Sequence, residues 1–121
     1  MSAVSIEVGA LFEAYERALI DNDVDRVLGF FAADAIRVGI ADLQAGLAEQ
    51  RRWRLAQPAL PPGRFRKDTT IQTYGVSVAV VTTLFGYPGA TALGRQTQTW
   101  VRLAEGWRIV NAHVSLPASP Q

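Results

Sequence analysis

Two alternating runs, Gly94 to Leu103 and Trp107 to Ser115, flank Ala104-Glu105-Gly106 and constrain this chain more than any other feature. Gly106 can supply the positive φ of a three-residue hairpin loop, so the pattern predicts an antiparallel pair in which Leu103 faces Trp107. Because side chains alternate with period two, Val101 would oppose Ile109, Thr99 Asn111, Thr97 His113 and Arg95 Ser115. One face is then greasy at the turn and polar at the far end, and this is read as the inner face. The other, with Gln96, Gln98, Trp100 and Arg102 beside Arg108, Val110, Ala112 and Val114, is assigned to solvent or a partner. A slip of one residue would exchange the faces and set Arg102 opposite Ile109, a poorer match.

Upstream, Val8, Leu11, Phe12, Tyr15 and Leu19 follow one helical stripe from Ser5 to Ile20, with Glu13 and Arg17 as an i, i+4 pair outside it. Asp23 is the expected N-cap of a short second helix carrying Val24, Val27, Leu28 and Phe31. A brief extended piece around Ala35 to Gly39 precedes a third helix from about Gly46 to Ala56, which Gln57-Pro58 must end because a residue before proline avoids the α region. Further strands are expected at Arg64 to Tyr74 and Val76 to Phe85, and Pro117 and Pro120 mark a fraying tail. Helices first and a meander of strands afterwards is the pattern of a single α+β domain over residues 1–121, with helices covering one face of an antiparallel sheet. The strand Val76 to Phe85 is apolar at nearly every position, which predicts cover on both faces, one by helices and one by a second copy in a homodimer.

The chain's 121 residues suffice to bury a core without staples. Zero cysteines exclude disulfides and thiolate chemistry, and a single histidine leaves too few soft ligands for a transition-metal centre, so no metal is expected. No apolar run approaches a membrane span, and the N-terminus lacks the pattern of a secretion signal, so a cytoplasmic protein is expected. A net charge of +1 argues against a general nucleic-acid field, although six of the 12 cations lie between Arg51 and Lys67. Trp53 among Arg51, Arg52 and Arg54 is therefore read as an ordinary solvated helix face, not a nucleic-acid platform.

By residue type, Tyr15 is either a core tyrosine or a catalytic one whose hydroxyl enters a wet pocket. Arg37, between Ile36 and Val38, either pairs with Asp34 or Asp42 or clamps a carboxylate. Arg95, Asn111, His113 and Ser115 cluster with Thr97 at the polar end of the expected inner face, and there too a hydrogen-bonded core histidine competes with a functional one. Trp100 and Trp107 are assigned to packing.

Several segments together resemble a known family. Phe12-Glu13-Ala14-Tyr15-Glu16 with Asn22-Asp23-Val24, Arg37-Val38-Gly39, and Arg51 through Pro58 match it. So, most specifically, does Gly94-Arg95-Gln96-Thr97-Gln98-Thr99-Trp100-Val101-Arg102 joined to Gly106-Trp107-Arg108-Ile109-Val110-Asn111-Ala112-His113-Val114-Ser115. They are similar to the AtzH-like proteins, related to HpxZ, within the SnoaL-like, nuclear-transport-factor-like superfamily. The resemblance implies a cone in which a curved sheet wraps N-terminal helices around an internal pocket. It implies a cofactor-free amidohydrolase that acts on a carboxylated urea with loss of carbon dioxide, beside an amidase in bacterial nitrogen catabolism. The family's functional Tyr and Arg fall on Tyr15 and Arg37, while Arg95, Asn111, His113 and Ser115 are the expected substrate-binding set. A non-catalytic accessory subunit of an amidase system is the alternative. The chain departs from the family in a connection about two residues shorter between Phe31 and Arg37, in Asp42-Leu43-Gln44-Ala45, and in Gln50, which occupies a typically aliphatic position.

Overall fold

The structure is a computed structural model that describes residues 2–118, so Pro120 lies outside the described residues. Helix α1, Ala3–Ile20, begins on a reciprocal cap in which the Ser2 hydroxyl accepts from the Ser5 amide at 3.0 Å and the Ser5 hydroxyl accepts from the Ser2 amide at 3.1 Å. Its buried stripe is Val8, Phe12, Tyr15, Glu16 and Ala18, with Leu11 and Leu19 half-buried beside it. The Asp23 carboxylate caps α2, Val24–Gly29, by accepting from the Arg26 amide at 3.2 Å. Phe31, expected in that helix, instead opens strand β1, Phe31–Val38, and a short β2, Leu43–Ala45, follows it. Helix α3, Leu47–Ala56, stops where Gln57 takes the extended conformation that Pro58 requires.

Strands β3 (Phe65–Tyr74), β4 (Val78–Gly86), β5 (Gly94–Leu103) and β6 (Gly106–Ser115) complete a sheet of order β2-β1-β6-β5-β4-β3. All neighbours are antiparallel except β1 and β6, which run parallel. Helix α1 lies over β3 and β4 and α3 over β1 and β2, which leaves a hollow between them lined by the middle of the sheet. Trp100, Phe12, Val8 and Ile109 are fully buried in the core, and Trp107 packs beside them as expected.

The β5–β6 hairpin holds the main correction. Leu103 faces Gly106, not Trp107, because the loop is the two-residue Ala104-Glu105 and Gly106 (φ 117°) belongs to the strand. Near the turn Trp100 therefore faces Ile109 and Arg102 faces Trp107. A bulge then absorbs Val110, and from Thr99 and Asn111 outward the register is the expected one. The extra residue reverses the alternation of β6, so Trp107 and Ile109 share the inner face with Ala112, not with Asn111 and His113. On β5 the buried side chains are Gln96, Gln98 and Trp100, and the exposed ones are Arg95 and Thr97. Inner and outer faces are thus exchanged on β5 and on β6 beyond the bulge, while Trp107 and Ile109 keep the inner face expected of them. Gln98 is tolerated inside because its carbonyl oxygen accepts from the Trp100 indole at 3.1 Å.

Candidate functional site

The hollow is a cavity of about 680 Å³ between α1, β1, α3 and the inner face of β4 and β5. Apolar walls from Leu19, Ile40, Leu60, Phe85 and Val114 surround a few polar groups, the composition of a small-molecule site. Gly94 allows this surface to close, since a Cβ there would collide with the ring of Phe85 across the ladder.

Tyr15 and Arg37 both line the cavity. The Tyr15 ring is fixed by aromatic neighbours, Phe12 at 6.4 Å and Phe30 and Phe31 each at 6.0 Å between ring centroids. Its hydroxyl has no hydrogen-bond partner among the described residues and is not sealed from open space. Alternation along β1 turns Arg37 inward with Ala35. Its Nη1 donates to Asp42 Oδ1 at 2.7 Å and to Gln44 Oε1 at 3.0 Å, and its guanidinium lies 4.1 Å from the centre of the Trp53 ring. The partner is thus Asp42, one of the two acids anticipated, and the Nε–Nη2 edge is left without a partner among the described residues. Burial and then the positive charge of Arg54 hold Arg37 below its ordinary pKa, against the opposing pull of Tyr15 and Asp42. Asp42 is itself held below the carboxylate range: burial raises it, but hydrogen bonds from Gln44 and Arg37 and the field of Arg37 outweigh that.

On the opposite wall, Arg64 Nε donates to Glu16 Oε1 at 2.9 Å, Nη1 to the Tyr87 hydroxyl at 3.0 Å and Nη2 to Gln96 Oε1 at 3.1 Å. Gln96 Nε2 in turn donates to Glu16 Oε2 at 3.3 Å. Burial opposes the charge on Arg64, yet hydrogen bonding to Glu16 and its negative field raise the pKa above the ordinary value. Arg66 reaches Glu16 at 3.4 Å and also pairs with Glu13, which therefore does not make the expected pair with Arg17. Arg95, Asn111 and His113 are exposed on the outer face, Ser115 is half-buried there, and none of the four lines the cavity. The bulge at Val110 is the reason, and the substrate-binding assignment of these four is corrected accordingly.

The chain matches the AtzH-like family over residues 1–120. It belongs to that family. Among solved structures, a protein of unknown function from Pectobacterium atrosepticum is similar at 43% identity and a TM-score of 0.92, covering 98% of this chain and 94% of that one. A cystatin-like fold protein from Burkholderia xenovorans shares 41% identity with a TM-score of 0.89, covering 97% and 94%. An NTF2-like protein of unknown function from Pseudomonas putida, 17% identical, has a TM-score of 0.84 over 100% of this chain and 92% of that one, which shows a common fold. No match is found among curated proteins.

In this AtzH-like chain sequence reasoning missed Arg64, Tyr87, Gln96 and Glu16 on the cavity's second wall. One signal was present: Glu16 lies one turn after Phe12 on the apolar stripe, where a carboxylate demands a buried cation. Trp53, read as part of a solvated face, stacks on Arg37 instead. Among the described residues no group of three or more His, Asp or Glu side chains is placed to hold a metal ion, and no helix is long and apolar enough to cross a membrane.

Proposed function

We propose that this AtzH-like protein is a cofactor-free amidohydrolase that cleaves a C–N bond of a carboxylated urea, with loss of carbon dioxide. One observation carries the reading: an unpartnered tyrosine hydroxyl and an open guanidinium edge border the same apolar-walled cavity. The Arg37 Nε–Nη2 edge fits a carboxylate in bidentate fashion while Nη1 stays anchored by Asp42 and Gln44. Tyr15 then donates its proton to the departing nitrogen as water adds to the carbonyl carbon and the C–N bond breaks. The proton released by that water restores the phenol. A carbamate product sheds carbon dioxide without further catalysis, so positioning and charge complementarity supply what the protein must contribute. The family assignment supports a cytoplasmic role beside an amidase in bacterial nitrogen catabolism.

A second reading, a non-catalytic ligand-binding subunit of such an amidase system, is favoured by one observation. Asp42, which lines the cavity, is engaged by Arg37 and Gln44, and Glu16 behind the wall is engaged by Arg64, so neither acid is free to activate water. Incubating the purified protein alone with a dicarboxylated urea, against a no-protein control, separates the two. Release of carbon dioxide and ammonia above the control supports the enzyme, and binding without turnover supports the accessory subunit.

The homodimer belongs to this proposal as well. Val78, Val80 and Leu84 stand half-exposed on the outer face of β4, with Val101 beside them on β5, a strip suited to a second copy. Sedimentation at micromolar concentration should give twice the chain mass, and a strictly monomeric profile would contradict the dimer.

A further inference from the structure

The three tryptophans of the chain are used differently. The indole of Trp100 donates to Gln98 at 3.1 Å and that of Trp107 to Glu7 at 2.6 Å, so each is committed to a polar group of the protein itself. Trp53, half-buried on α3, lines the cavity, and its indole N–H has no acceptor among the described residues and is not sealed from open space. Its ring has one close companion. The guanidinium carbon of Arg37 lies 4.1 Å from the ring centre, the shortest approach of a guanidinium to an aromatic ring among the described residues, while Arg54 stands farther off at 5.7 Å. At that distance the cation touches the ring face, where the π quadrupole attracts it.

Arg37 needs such a support. Both of its hydrogen bonds, to Asp42 and to Gln44, fall on Nη1, so they fix one end of the guanidinium and leave its tilt to whatever covers its face. An arginine is rich in rotamers, and ordering it only when a ligand arrives would subtract from affinity. Trp53 covers that face from α3, Gln44 reaches in from β2, and Asp42 directly precedes β2, so two further elements converge on one side chain of β1. We propose that Trp53 is a positioning residue: its ring sets the aim of the Nε–Nη2 edge before a carboxylate arrives and keeps water from one face of the resulting ion pair. The indole touches no reacting atom in this account. The proposal rests on the reading above that Arg37 holds a carboxylate, but its test does not use turnover.

Butyrate, a single carboxylate on a short apolar tail, serves as the probe in calorimetric titrations of the full chain. Trp53→Leu should weaken its binding about three- to tenfold, the effect of having to order one rotamer-rich side chain on binding. Trp53→Met, which also lacks an aromatic face, should match it, and Trp53→Phe should recover most of the loss. Arg37→Met should weaken binding more than any of these, and adding Trp53→Leu to it should cost nothing further, because no guanidinium is left to aim. Unchanged affinity in Trp53→Leu and Trp53→Met, no recovery in Trp53→Phe, or a loss that adds in full to that of Arg37→Met, as a merely structural wall would give, overturns the proposal. Undetectable butyrate binding by wild type, or binding that Arg37→Met leaves intact, sinks the carboxylate reading of Arg37 and this proposal with it. Absence of hydrolysis alongside the expected losses would instead sink only the enzymatic reading.

Discussion

Two buried arginines line the cavity, and the charge of each is compensated differently. Arg64 is enclosed by Glu16, Gln96 and Tyr87, with its side chain 4% exposed and that of Glu16 1%, and its positive charge is stabilised. Arg37 has a partner whose side chain is 26% exposed, a second cation nearby and an open edge, and burial and then that cation hold its pKa below the ordinary value. A satisfied ion pair ties α1 to the sheet, whereas an under-compensated one is poised for a ligand. Burial alone would not have told them apart.

Removing the anion on the structural side should have the largest effect. Glu16→Gln leaves Arg64 buried without a counter-charge and should cost about 3–5 kcal/mol in urea denaturation; a loss under 1 kcal/mol would erase the contrast between the walls. On the other wall, Arg37→Met should weaken binding of an anionic substrate by about 2–5 kcal/mol, read from titration, with much less change in stability. Tyr15→Phe should slow turnover about a hundredfold or more, since a general acid is lost, while stability stays within about 0.5 kcal/mol because the hydroxyl has no protein partner.

The pH dependence sharpens the same comparison. Asp42 has a folded pKa below that of the unfolded chain, about 3.9, so the unfolded state binds more protons in the acid range and stability rises with pH there. Its share is complete above about pH 4 and is lost as pH falls through the folded value. Partial exposure keeps that share below about 1 kcal/mol, and Asp42→Asn should flatten this part of the curve. The smallest effect belongs to the outer face, where His113→Ala and Arg95→Ala should leave turnover unchanged and stability within about 0.5 kcal/mol.

Much of this arrangement was legible in the residues. The stripe of α1 placed Tyr15 inward and the far half of the β5–β6 register followed from Thr97 and Thr99, whereas Arg37, between apolar Ile36 and Val38, was pointed to only by the family resemblance. The faces of that hairpin were not legible, because one extra residue at Val110 reverses the alternation while both halves keep their pattern. Apolar residues near the turn therefore pointed to the wrong set of polar residues beyond the bulge. The Arg64 wall was hidden for a related reason. An arginine after Pro61-Pro62-Gly63 reads as surface until the fold brings Glu16 to it from the first helix, a pairing across 48 positions that no local rule encodes.

Carbon dioxide release from a dicarboxylated urea by the Tyr15→Phe, Arg37→Met double variant, measured against wild type and a no-protein control, tests the cavity's chemistry most directly. Wild type should exceed the spontaneous rate and the double variant should fall to it. Full activity in the double variant would contradict the account.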